Sequence, residues 1–152
     1  MEYTELLEKQ IIGRLKVDNP WWTEGVIPEY YSKMTPRMYL DIFYPLVRDM
    51  GLRRAMILMG PRRVGKTVML FHTIGRLIAE GVSPQNIIYI SVETPIYNKI
   101  ALEQLFTLSK QILGKSGSTS EEFWVMFDEI QYLKNWELHL KSLVDTYRNV
   151  KF

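Results

Sequence analysis

Residues 60–67 read Gly60-Pro61-Arg62-Arg63-Val64-Gly65-Lys66-Thr67. This stretch fits the spacing G-x-x-x-x-G-K-[ST], which is typical of a phosphate-binding loop. The continuously apolar run Ala55–Met59 precedes it and predicts a strand buried on both faces, as in a parallel sheet. A helical pattern opens at Gly65 and continues to a predicted left-handed stop at Gly81. A phosphate loop requires this order of strand, loop and helix.

The residue types in the loop match the chemistry of a bound nucleotide. Glycines allow the backbone N–H groups to turn around an anion, and the following helix directs its positive end to the same place. Lys66 would supply a cation for the β- and γ-phosphates, and the Thr67 hydroxyl is a hard oxygen ligand for Mg²⁺. The alternative is a glycine-rich turn without a ligand. The candidate nucleotide-binding residues are Gly60, Pro61, Arg62, Arg63, Val64, Gly65, Lys66, Thr67 and Val68.

The two arginines of the loop have two open interpretations. Arg62 and Arg63 would either add to phosphate binding or point away from it, towards solvent or a neighbouring protein. Neither is assigned a catalytic role.

A second candidate site follows the apolar run Phe123–Phe127, which predicts another buried strand. Asp128 and Glu129 come directly after this run, at the strand end where open α/β sheets place their ligands. Asp128 would hold Mg²⁺ directly or through a water, and Glu129 would orient or deprotonate the attacking water. The alternative is that the pair caps the next helix.

The rest of the chain continues the alternation of strands and helices. Strands are predicted at Asn86–Val92 and from Asn149 to the end, with helices at 102–113 and 136–147 between them. This alternation predicts an α/β fold with an open parallel sheet and helical crossovers. The N-terminal part reads as a helix over Tyr3–Leu15, an aromatic and proline-rich connection, and a second helix from Arg37 to Met50.

Composition and charge exclude several classes of protein. The 152 residues are enough for one domain, and the 47% hydrophobic and 24% charged residues are those of a globular chain. The net charge of +2 gives little support to nucleic-acid or anionic-membrane binding, although it does not rule out nucleic acid. The absence of cysteine excludes disulfides, thiolate metal sites and cysteine nucleophiles. Without a secretory signal or a long apolar run, a soluble cytoplasmic protein is expected.

The sequence GPRRVGKT at Gly60–Thr67, together with VMFDEIQYLKNWE at Val125–Glu137, resembles the P-loop ATPases of the AAA+ superfamily, and specifically the AAA_14 type. The resemblance covers roughly Tyr39–Phe152. It implies a three-layer P-loop sheet with helices on both faces, binding of ATP and Mg²⁺, and catalytic roles for Lys66 and Glu129. Thr67 and Asp128 would be the metal ligands.

The resemblance also predicts the organisation of the protein. Residues 1–36 would be an N-terminal helical extension, and residues 37–152 an ATPase core that is incomplete at its C-terminus. The strand starting at Val150 would lie between the phosphate-loop strand and the Asp128 strand, and it stops before the sensor residue. An arginine finger, a lid and a C-terminal domain would then lie in a longer protein, for which a homo-oligomer is an open alternative.

Three functions remain open from the sequence. The first is an ATP-hydrolysing module that drives or switches a C-terminal partner domain. The second is a nucleotide-dependent switch that holds ATP with little turnover. The third is a DNA-associated ATPase, which would bind duplex in a strongly salt-dependent manner. For these 152 residues alone, weak or absent turnover is expected.

Overall fold

The protein is an α/β structure built around a parallel three-stranded sheet in the order β1-β2-β3. The computed structural model describes residues 2–117 and 120–152. No helix in these ranges is both long and apolar enough to cross a membrane. The strands are β1 (Ile87–Ser91), β2 (Phe123–Asp128) and β3 (Val150–Lys151), and the α-helices are α1 (Tyr3–Asp18), α2 (Trp21–Glu24), α3 (Glu29–Ser32), α4 (Leu40–Arg48), α5 (Lys66–Ala79), α6 (Leu102–Ile112) and α7 (Trp136–Thr146).

The two longer strands lie where the apolar runs predict them. β1 pairs with β2 over its full length, with Tyr89 opposite Met126. Ile87, Ile88 and Ile90 are fully buried, so both faces of β1 are covered. A continuous apolar run is the sequence of such a strand because neither face meets water. The two residues of β3 pair with Phe123 and Trp124, the first two residues of β2.

Helices contact both faces of the sheet. The Trp124 indole donates a hydrogen bond to the Val47 carbonyl of α4 (3.0 Å), and α4 packs against α5. Phe123, the preceding residue, meets Phe106 of α6 edge-on with ring centroids 6.1 Å apart. Because successive side chains of a strand point to opposite faces, α4 and α6 lie on opposite sides of β2.

The predicted strand Ala55–Met59 is wrong. The segment is irregular, and Ile57 and Met59 are 52% and 86% exposed. One backbone hydrogen bond, from the Met56 N–H to the Phe152 carbonyl (2.9 Å), joins the segment to the residue after β3. A parallel strand requires a continuing ladder of such bonds, and β3 is only two residues long. The apolar run therefore lies beside the sheet without becoming part of it.

The N-terminal segment, residues 2–36, covers the free edge of β1. The Tyr89 N–H donates to Asn19 Oδ1 (2.7 Å), and Asn19 Nδ2 donates to the Tyr89 carbonyl (2.9 Å). The indole N–H groups of Trp21 and Trp22 both donate to the Ile87 carbonyl, at 2.9 and 2.8 Å. An edge strand exposes unpaired backbone groups, and here side chains satisfy them. The aromatic, proline-rich connection thus completes the sheet edge.

The residues before the phosphate loop also share the main hydrophobic core. Ile11 and Leu15 of α1 and Trp21 are buried in the same cluster as the strands. The connection after α1 contains the short helices α2 and α3, which the sequence did not predict. α4 is shorter than the predicted helix Arg37–Met50, since turns precede Leu40 and Asp49 is extended. The boundary at residues 36 and 37 stays a prediction.

Candidate functional site

Residues 60–65 form a turn between the irregular apolar segment and α5. Arg63 and Gly65 have left-handed backbones, with φ values of 65° and 90°. Glycine adopts this conformation without the strain that a Cβ causes. α5 begins at Lys66, so the unpaired N–H groups of its first turn and the positive end of its dipole lie at the loop. The predicted loop and helix therefore form, whereas the strand that the motif places before the loop does not.

Lys66 folds back over the loop. Its ammonium group donates hydrogen bonds to the carbonyls of Gly60 (2.6 Å) and Pro61 (2.8 Å). The cation is therefore held inside the turn, next to the start of α5. Since an ammonium has three donors, one remains for an anion after these two bonds are made.

Thr67 and Asp128 meet although they are 61 residues apart in the sequence. Thr67 lies in the first turn of α5, and Asp128 ends β2. The Thr67 hydroxyl donates to Asp128 Oδ2 at 2.8 Å, and Asp128 is 6% exposed. The phosphate loop and the acidic pair, predicted as two sites, therefore lie in one place. The end of β2 and the start of α5 meet there.

Two further donors fix the Asp128 carboxylate. The Tyr89 hydroxyl donates to the same oxygen, Oδ2, at 2.7 Å, and the Glu129 N–H donates to Oδ1 at 3.1 Å. Burial, followed by the negative charge of Asp128, raises the pKa of Tyr89, so its phenol stays protonated and donates. Sequence reasoning missed Tyr89. The only available signal is that a tyrosine within a buried strand needs a partner for its hydroxyl.

Glu129 has a left-handed backbone, with φ 53° and ψ 42°. Its carboxylate accepts a hydrogen bond from the side-chain amide of Gln131. Glu129 is half-buried at the end of β2, one residue beyond Asp128. A carboxylate in this place can accept a proton from a water, and Gln131 restrains it.

The other predicted loop residues have different surroundings. Pro61, Arg62, Arg63 and Val64 are exposed, and Val68 is half-buried within α5. The turn is tight at Gly60, where a Cβ would lie 3.1 Å from a methyl carbon of Val64.

Arg37 is a second residue that the sequence analysis missed. A Cβ added to Gly65 would lie 3.3 Å from its Nη2 and 3.4 Å from its Nε, so the guanidinium covers the loop. Arg37 precedes the loop by more than twenty residues and belongs to no motif. Its position adds positive charge at the start of α5.

A cavity of about 120 Å³ lies between the irregular apolar segment before the loop and β2. Its walls are largely apolar and include Met56, Leu58, Val125 and Phe127, whereas Lys66, Asp128 and Glu129 form a polar end. The acidic residues therefore face open space beside the sheet.

The donor set at Thr67 and Asp128 fits Mg²⁺. A hydroxyl and a carboxylate are hard oxygen donors, and they are already in contact. Mg²⁺ commonly takes one or two protein ligands and completes its shell with waters and substrate phosphates. The adjacent loop is where such phosphates would lie.

A phosphate loop that opens a helix and faces an aspartate at the end of a parallel strand defines the class of P-loop nucleotide-binding proteins. The sequence profile of the AAA_14 family, described as an AAA domain, matches residues 52–152. The chain belongs to this family, which confirms the resemblance and indicates an ATPase-like nucleotide-binding module.

Two curated relatives are both described as uncharacterized proteins. A Haemophilus influenzae protein is 30% identical over 87 residues, which are 57% of this chain and 21% of the relative. The Methanocaldococcus jannaschii protein MJ1637 is 32% identical over 121 residues, which are 76% of this chain and 25% of the relative. The chain thus spans about a quarter or less of the length of these relatives. No solved structure matches the chain significantly.

Proposed function

We propose that, within a longer protein, this chain binds ATP with Mg²⁺ and hydrolyses the bond between the β- and γ-phosphates, whereas residues 1–152 alone release little or no phosphate. The observation that carries the proposal is the 2.8 Å contact between Thr67 Oγ1 and Asp128 Oδ2. This contact joins a hydroxyl in the first turn of α5 to a carboxylate at the end of β2. Both lie beside the loop whose backbone N–H groups can bind phosphate. The membership of the AAA_14 family supports the same function.

Each site residue has a role that follows from its position. The backbone of residues 60–65 and the start of α5 would bind the phosphates, and Lys66 would neutralise the β- and γ-phosphate oxygens. Thr67 and Asp128 would hold Mg²⁺, which, when bound, neutralises the charge that develops on the phosphates. Arg37, through its guanidinium at Gly65, would add a further cation.

Glu129 would act on the attacking water. Its carboxylate lies one residue beyond Asp128 and faces the same cavity. A carboxylate at hydrogen-bond distance from a water can orient it and accept its proton. In this role Glu129 must leave, or share, its hydrogen bond with Gln131.

The test combines ATP binding with phosphate release. We expect Lys66→Ala to abolish calorimetric ATP binding, and Glu129→Gln in a longer protein to retain binding while phosphate release falls at least a hundredfold. Lys134→Ala and Glu137→Gln are the matched controls, because both residues are exposed and lie outside the site. If Lys66→Ala binds ATP as the unsubstituted chain does, the proposed site is wrong.

A nucleotide-dependent switch with little turnover is the second candidate. The observation in its favour is the hydrogen bond from Gln131, which engages the Glu129 carboxylate. Gln131→Ala would release Glu129, so the hydrolysis proposal expects faster phosphate release from this variant. If a longer protein binds ATP while both its unsubstituted form and its Gln131→Ala form release no phosphate, the switch is the better description.

We also propose the finer architecture and the partner that the family suggests. The helices on both faces of the sheet support a three-layer P-loop NTPase sheet. The relatives, of which this chain covers 21% and 25%, support a module that drives or switches a further domain in a longer protein. A longer protein in which ATP changes the protease sensitivity of that domain would support this coupling, and an unchanged digestion pattern would contradict it.

A further inference from the structure

Tyr89 lies at the junction between the candidate site and the N-terminal segment. Its hydroxyl donates to Asp128 Oδ2 at 2.7 Å, while its backbone N–H and carbonyl are both bonded to the Asn19 side chain. The residue is 6% exposed. One end of the tyrosine thus contacts the candidate metal ligand, and the other is fixed by a residue 70 positions earlier.

We propose that Tyr89 is a positioning residue for the magnesium-binding carboxylate of Asp128, and that the N-terminal segment sets the geometry of the site through it. The inference rests on the proposed function, because it concerns how the site holds Mg²⁺. It adds a residue and a structural dependence that the phosphate-loop motif does not contain.

The hydrogen bonds around Asp128 explain why one hydroxyl matters. A carboxylate rotates readily about its terminal bond. The Glu129 N–H holds Oδ1, and the hydroxyls of Thr67 and Tyr89 hold Oδ2 from two different elements. If Thr67 turned its oxygen to a metal, Tyr89 would be the donor that still holds Oδ2. Second-shell hydrogen bonds of this kind orient metal ligands and raise metal affinity.

The Tyr89 ring is itself held by an aromatic stack that begins in the N-terminal segment. Tyr31 stacks on Phe71 with centroids 4.0 Å apart and planes 5° apart. Phe71 belongs to α5 and lies 4.8 Å from the Tyr89 ring. Asn19 and Tyr31 both precede residues 52–152, the part matched by the family profile. The segment therefore fixes both the backbone and the ring of the residue that holds Asp128.

The test is the Tyr89→Phe variant, which removes the hydroxyl and keeps the ring contacts. ATP affinity is measured by calorimetry with excess Mg²⁺ and with EDTA, and Mn²⁺ binding in the presence of ATP is followed by electron paramagnetic resonance. Tyr97→Phe is the matched control. Tyr97 is 3% exposed, and within the described part of the chain its hydroxyl has no hydrogen-bond partner.

We expect Tyr89→Phe to lower the ATP affinity measured with Mg²⁺ by about tenfold and to weaken Mn²⁺ binding. The ATP affinity measured with EDTA should stay unchanged. Tyr97→Phe is expected to leave all three quantities unchanged. If Tyr89→Phe lowers ATP affinity equally with Mg²⁺ and with EDTA, or does not lower it at all, the proposed role of Tyr89 is wrong. The proposal that the chain binds ATP would be unaffected. Absence of ATP binding by the unsubstituted chain would overturn the proposed function itself.

Discussion

Replacing Asn19 by alanine tests the covering of the β1 edge. The substitution removes the acceptor for the Tyr89 N–H and the donor to the Tyr89 carbonyl, and Asn19 is 1% exposed. Leaving a buried polar group without its partner costs about 1–3 kcal/mol. Two backbone groups lose their partner here, and water entering the space left by the side chain would offset part of the cost. We therefore expect the free energy of unfolding to fall by about 2–4 kcal/mol.

The measurement is urea unfolding followed by circular dichroism. For a slope of about 2 kcal/mol per molar urea, a loss of this size moves the midpoint down by about 1–2 M at unchanged slope. Asn98→Ala is the matched control, since Asn98 is exposed, and its expected shift is within about 0.5 kcal/mol.

A second variant separates hydrogen bonding from packing. Asn19→Asp keeps the shape and an acceptor for the Tyr89 N–H, but it places an oxygen against the carbonyls of Leu15 and Tyr89. We expect it to be at least as destabilising as alanine at neutral pH. If Asn19→Ala lowers the free energy of unfolding by less than about 0.5 kcal/mol, the side chain does not close the edge, and the reasoning fails.

Three further predictions concern stability. Trp21→Phe and Trp22→Phe each remove one of two donors to a shared carbonyl, so urea unfolding of the double variant should show a loss larger than the sum of the single losses. Gly65→Ala should lower the free energy of unfolding by about 1–2 kcal/mol because Gly65 has a φ of 90°. Gly13→Ala within α1 should raise it by about 0.5–1 kcal/mol. Thermal unfolding compares the two variants, and equal shifts in their midpoints would contradict the argument. Burial raises the pKa of Tyr97 in the folded chain, so above about pH 10 the phenol ionises first in the unfolded chain and the free energy of unfolding falls as pH rises. Tyr97→Phe should reduce this slope by up to about 1.4 kcal/mol per pH unit, measured by urea unfolding at pH 9–11.

The candidate site could be predicted where its chemistry is local in the sequence. Gly65, Lys66 and Thr67 act through one turn and the first residues of a helix, so their spacing specifies their arrangement. Asp128 and Glu129 follow an apolar run whose parallel pairing was predictable, and this pairing places them at the ligand-binding edge. The contact between Thr67 and Asp128 follows from these two facts.

The parts that could not be predicted depend on distant partners. The run Ala55–Met59 has a strand-like composition, but a strand forms only beside a neighbour with free backbone groups. Asn19, Arg37 and Tyr89 act through contacts with residues far along the chain, and no periodicity or spacing marks such contacts. For the same reason the sequence does not reveal which carbonyl accepts the hydrogen bonds of Trp21 and Trp22.

The covering of β1 has a consequence for the synthesis of the protein. Asn19 lies 70 residues before its partner Tyr89, and both tryptophans lie about as far from Ile87. At about 5–20 residues per second, a ribosome needs roughly 4–14 s to add this length of chain. During that time the tryptophans leave the ribosome without the carbonyl they will bind. The N-terminal segment is thus made first and docked late, and its aromatic pair is open to nascent-chain chaperones until β1 emerges.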